Sequence, residues 1–176
     1  MIYESRLSKI LIDAELPLQI FSCRFDQYLF FDSDISSSES MILAIQEIVS
    51  KCFGLDVEVD VYAGSNRKFV AHIGGIDDLK GEGIRVGECL RDAGDFGGLI
   101  LMDTKMRWIA YQSRPVDVGI FAIDSGRALE GFEAMKENFF DCSDISGWLT
   151  QRTARDADLV QGFGAEFLAM LVQNYQ

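Results

Sequence analysis

Apolar positions along the chain switch between two periods, and the switches mark the elements. In residues 4–14 Leu7, Ile10 and Leu11 recur at helical spacing, and Pro17 closes the segment, which predicts a short amino-terminal helix. The aromatic and branched run from Leu18 to Phe31 reads as one bent strand or two. Ser36 with Glu39 three residues later has the form of a capping box. Met41, Ile42, Ile45, Ile48, Val49 and Cys52 then make one wide helical stripe that Gly54 terminates.

The period changes to two at Leu55–Tyr62, LDVEVDVY, where three valines alternate with Asp56, Glu58 and Asp60. Residues 67–73 form its hairpin partner. A three-residue loop, Gly64-Ser65-Asn66 with Asn66 left-handed, sets Val57, Val59 and Val61 beside Ile73, Ala71 and Phe69. That register places His72 across from Glu58 and Lys68 across from Tyr62, with the acids on an outer, wet face. Residues 74–83 read as a glycine-rich connection, and 84–93 as a short helix with Val86, Cys89 and Leu90 inward.

A meander follows, 99–102, 106–112 and 116–123, turning at Asp103-Thr104-Lys105 and at Arg114-Pro115. The tail reads as helices over 127–140, 145–153 and 157–175. No regular βαβ rhythm is present. The pattern predicts an α+β fold: a largely antiparallel sheet of about six strands packed with several helices, with a helical C-terminus. The composition, 48% apolar with two prolines over 176 residues, fits a single globular domain spanning 1–176.

Charge narrows the function classes. Sixteen basic against 28 acidic residues give a formal charge of −12, which disfavours binding to nucleic acid and to anionic membrane surfaces and favours cationic partners. The amino terminus lacks the pattern of a secretory signal, and no apolar run reaches the length of a membrane span, so a cytoplasmic location is expected. Cys23, Cys52, Cys89 and Cys142 are widely spaced and read as reduced thiols. With one histidine, His72, they suggest neither a zinc site nor a cysteine nucleophile.

No phosphate-binding loop, metalloprotease helix, nucleophile elbow or calcium loop is present. The glycines in 81–87 are misspaced for a dinucleotide fingerprint, and Glu82 would repel phosphate. No cofactor is implied. Carboxylates at alternate strand positions lie about 7 Å apart on one face, so a metal-dependent hydrolase site built on Asp56, Glu58 and Asp60 with His72 is the alternative reading. The preferred expectation is a surface for a basic protein, with no catalytic or metal-binding residue, formed by Asp56, Glu58, Asp60, Tyr62 and His72. Asp77 and Asp78 extend it, and Asp32 and Asp34 are further candidates.

In this general character, a small, strongly acidic α+β chain without catalytic motifs, the sequence resembles the immunity proteins of bacterial contact-dependent growth inhibition and related toxin systems. That resemblance implies a cytoplasmic, monomeric inhibitor that binds a cognate toxin, often a basic nuclease, and occludes its active site.

Overall fold

The computed structural model describes residues 2–114, 116–126, 129 and 137–176. The helix expected over 127–140 falls largely outside them, as does Pro115. Six strands form one antiparallel sheet: β1 Gln27–Phe31, β2 Val59–Ala63, β3 Phe69–Ile73, β4 Leu99–Asp103, β5 Trp108–Tyr111 and β6 Gly119–Ile123. Their order across the sheet is β1-β6-β5-β4-β2-β3. The described helices are α1 Ile2–Ile10, α2 Glu39–Phe53, α3 Leu79–Asp92, α4 Cys142–Leu149, α5 Ala154–Phe163 and α6 Ala165–Tyr175, with a 3-10 turn at Ile76–Asp78. The α+β architecture and the helical C-terminus are those the sequence predicts.

The sheet is covered on both faces. Val59, Val61, Leu99, Leu101, Trp108 and Phe121 point to one side, against Ile42, Ile45 and Ile48 of α2 and Leu79 and Val86 of α3. Tyr62, Ile100, Met102, Ile109 and Ile120 point to the other, against Leu7 and Ile10 of α1, Ile145 of α4 and Leu168 and Leu171 of α6. Every residue of β2, β4, β5 and β6 is buried as a result. Alternation along a strand therefore distinguishes two cores here, not a core from water.

Several local expectations are corrected. The N-cap of α2 is Ser38, whose hydroxyl accepts from Met41 N–H, while the Ser36 hydroxyl donates to Asp34. The glycine-rich connection is helical: α3 begins at Leu79, and Gly83 and Gly87 are buried on its inward face. A Cβ at Gly87 would stand 2.2 Å from the Ser36 carbonyl oxygen, so close approach to the loop before α2 outweighs glycine's poor helix propensity. The last predicted helix is two, broken at Gly164, which takes φ 92°. The aromatic run yields a strand only at β1; Phe21 makes an isolated bridge to Leu11.

The hairpin register also differs. Val59 pairs with Ile73, Asp60 with His72 and Val61 with Ala71, two residues away from the expected alignment. A bulge then shifts the pairing so that Tyr62 meets Phe69 and Val70 is left over. Phe69 is thereby turned onto the Tyr62 face, where Tyr3 of α1 stacks on it at 3.9 Å. The turn is longer than three residues, and Arg67, not Asn66, holds the left-handed position at φ 58°. The Arg67 guanidinium donates to the carbonyls of Ile12 and Ala14, tying this turn to the segment after α1.

Candidate functional site

The acids of LDVEVDVY separate according to whether they lie inside the strand or before it. Asp60 is fully buried, and its carboxylate is held from two sides. Arg6 Nη1 donates to one oxygen at 2.9 Å, and His72 Nδ1 lies 2.9 Å from the other. Tyr62 is also fully buried, and its hydroxyl donates to the Tyr3 carbonyl at 2.8 Å. The wet face expected for these two residues is the seat of α1, so they are removed from any contact surface. Burying a carboxylate is costly unless it is paired, and Arg6 and His72 supply that pairing. His72 faces Asp60, not Glu58, because of the register shift, and it remains exposed at the outer strand.

Asp56 and Glu58 lie before the first residue of β2 and are exposed. Asp77 and Asp78 follow β3 in the 3-10 turn and are exposed as well. Because β2 and β3 are antiparallel, the start of one adjoins the end of the other. Ile76 N–H donates to the Leu55 carbonyl at 3.4 Å, which fastens the two segments. Leu55 is 58% exposed between them. The ion pairs found among the described residues involve none of these four acids. Among the described residues the Glu58 carboxylate accepts only a long bond from the Thr104 hydroxyl, 3.4 Å. The pairing of β2 with β3 and the bond from Ile76 to Leu55 bring the exposed leucine to the same end of the hairpin as Asp77 and Asp78, a placement with no local signal in the sequence.

Of the other candidates, Asp34 is engaged locally, accepting from Ser36 N–H and from the hydroxyls of Ser36 and Ser37. Asp32 lies apart from the hairpin end, on a cavity of about 380 Å³ with Glu137, Asp144, Arg155, Trp148 and Phe163. A larger cavity, about 570 Å³, is lined by Tyr28, Leu129, Asp141, Cys142 and Tyr175 among others. Its thiol is poorly suited to nucleophilic work: burial, reinforced by the Asp141 carboxylate, pushes Cys142 up to about 11. The chain's one histidine is elsewhere, on β3 against Asp60.

The hydrolase reading needs carboxylates converging on one cation. Asp60 is turned into the α1 core while Glu58 faces solvent, and among the described residues no group of three His, Cys, Asp or Glu could hold a metal ion. No helix among them is long and apolar enough to cross a membrane. No family model matches the sequence, and comparison with curated proteins and with solved structures finds no significant match.

Proposed function

We propose that this chain is a protein-binding inhibitor of the immunity type, which works in the cytoplasm and neutralises a basic toxin, such as a nuclease, by occluding its active site. The observation that carries the reading is the hairpin end. Four exposed carboxylates, Asp56, Glu58, Asp77 and Asp78, lie at this end with no ion-pair partner among the described residues, beside a solvent-exposed Leu55. The segments 55–58 and 74–78 contain no lysine or arginine. Unneutralised charge of one sign speeds encounter with an oppositely charged partner, and an exposed apolar side chain at its centre supplies area that is desolvated on contact. The patch adjoins the hydrogen-bonded β2–β3 pair, which limits the ordering needed on binding.

The test is co-expression in a heterologous bacterial host with the product of the adjacent gene. This chain should relieve growth arrest caused by that product, whereas the Asp56→Lys, Glu58→Lys, Asp77→Lys, Asp78→Lys variant should not, while keeping the wild-type circular dichroism and melting temperature. Full protection by the folded variant would refute the assignment of the surface.

A further inference from the structure

We propose that the outer edge of β3 is a strand-addition site, which takes an extended segment of a basic protein partner, antiparallel, with the segment's cationic end beside Asp77 and Asp78. This rests on the reading of the chain as a binder of a basic protein and specifies how the partner is held.

The two edges of the sheet are treated differently. At the β1 edge the chain closes its own ladder: Phe30 N–H donates to the Phe140 carbonyl at 2.7 Å, and Phe140 N–H returns the bond at 2.9 Å. At the β3 edge nothing among the described residues pairs with the outer side of the strand. The parity of the ladder identifies which groups face out. Ala63 N–H donates to the Lys68 carbonyl on the β3 side, whereas the Glu58 carbonyl accepts from Thr104 N–H on the β4 side. Odd residues of β2 thus bond toward β3, so Ala71 and Ile73 are the inward-bonding residues and the His72 amide and carbonyl point outward. An unpaired row of this kind is a template for another strand.

The strand ends at Ile73, and the chain bends at Gly74 and Gly75 into the 3-10 turn; Gly75 itself has extended dihedrals, φ −156° and ψ 145°. A Cβ built at Gly74 or Gly75 would meet nothing within 4 Å, so no described atom crowds the face of the chain between the edge and the acids. The side chains there grade in charge. Lys68 is exposed before the strand, and Asp77 and Asp78 are exposed after it. Such a gradient orients an incoming segment: its basic end fits beside the carboxylates, and its neutral or acidic end beside Lys68. Antiparallel addition continues the pairing found throughout the sheet. A second copy of the chain is the poorer occupant, because each copy brings a further −12 of charge.

The probe is a short synthetic peptide of alternating valine and threonine with a pair of lysines at its amino terminus, titrated into the isotope-labelled full chain. Backbone amide shifts should move in residues 69–78. Methylating alternate backbone nitrogens on the side that faces β3 should weaken binding about tenfold or more, and methylating the other set should leave it within about twofold. Moving the lysines to the carboxyl terminus, beside Lys68, should weaken it as well. Equal loss from both methylated peptides, or shifts centred away from β3, would overturn the edge site while leaving recognition of basic proteins at the hairpin end intact. Methylation-sensitive binding that is no weaker when glutamates replace the lysines would keep the edge and refute the basic partner. Absence of binding by the lysine peptide overturns the proposal, as does a dimer in sedimentation equilibrium that protects the His72 amide and identifies a second copy as the occupant.

Discussion

Gly81 and Gly87 invite one substitution in one helix with opposite outcomes. Both lie in α3, and glycine there costs up to about 0.8–1.0 kcal/mol relative to alanine from backbone freedom alone. At Gly81 a Cβ would meet nothing within 4 Å, so Gly81→Ala should stabilise the protein by about 0.5 kcal/mol, the smaller figure reflecting its place in the first turn. At Gly87 the new Cβ would lie 2.2 Å from the Ser36 carbonyl oxygen and 2.9 Å from its carbon. Reaching even a tight 3.0 Å requires a movement of 0.8 Å, the difference between 3.0 and 2.2.

The Ser36 loop cannot easily give way. Arg91 Nη1 donates to the Ser36 carbonyl at 2.8 Å and to its hydroxyl at 2.9 Å, Ser36 N–H donates to Asp34, and Ile35 N–H to Gln112 Oε1. Overpacking against fixed backbone lies near the upper end of the usual range, about 3 kcal/mol. After the gain in helix propensity, Gly87→Ala should destabilise by about 2 kcal/mol. For a chain of this size that lowers Tm by about 4–8 °C, while Gly81→Ala raises it by about 1–2 °C. Urea unfolding followed by circular dichroism, with unchanged slope, measures both. The reasoning fails if the two substitutions stabilise alike, since α3 would then not be seated on the Ser36 loop.

The remaining predictions concern the buried polar groups. Asp60→Ala leaves Arg6 and His72 facing an empty site; both reach solvent, which discounts the loss to about 2 kcal/mol, and a cycle with Arg6→Ala should show that the two effects are not additive. Unchanged unfolding in urea for Asp60→Ala would refute the latch. Tyr62→Phe removes the bond to the Tyr3 carbonyl and should cost about 1 kcal/mol, with hydrogen exchange accelerated in α1. Burial raises the Cys142 thiol from its ordinary 9.0 to about 11, so the unfolded chain loses this proton first and stability should fall as pH rises from about 9 to 11. Tyr175, raised by burial, acts in the same direction at higher pH. Cys142→Ser should flatten the fall in urea midpoint between pH 8 and 10, and an identical slope would exclude the thiol as its source.

Much of the fold was legible because tertiary packing agreed with the local signals. The stripe of α2 and the stop at Gly54 are read from apolar spacing and a glycine with φ 85°. The meander is carried by runs such as Leu99–Met102, whose residues are buried on both faces. The failures lie where a residue type has two uses. Gly81 and Gly83 read as a loop because glycine breaks isolated helices; Gly83, together with Gly87 in the part the sequence does predict as helix, instead allows α3 to approach its neighbour. Gly164 was passed over within a helical pattern, yet its positive φ breaks the helix. The bulge at Val70 has no local signature. It goes with the packing of Phe69 against Tyr3, a contact between residues far apart in the sequence.

The alternation in LDVEVDVY misled for a related reason, and its resolution locates the candidate surface. Alternating acids imply a wet face only if the sheet has one. The continuous apolar runs of β4 and β6 already require cover on both sides, so an acid in the neighbouring β2 must meet an internal counter-charge. Arg6, adjoining the inward residues Leu7 and Ile10 of α1, provides that counter-charge from an otherwise apolar seat. Inside the ladder, then, a carboxylate serves the attachment of a helix. Only acids outside the ladder, Asp56 and Glu58 before β2 and Asp77 and Asp78 after β3, keep their charge facing solvent. The hairpin brings those outer acids to one end of the sheet, next to the edge that no described residue closes. On the proposed reading, a partner drawn by that charge arrives beside the extended backbone of β3, so attraction and docking would be properties of the same corner of the molecule.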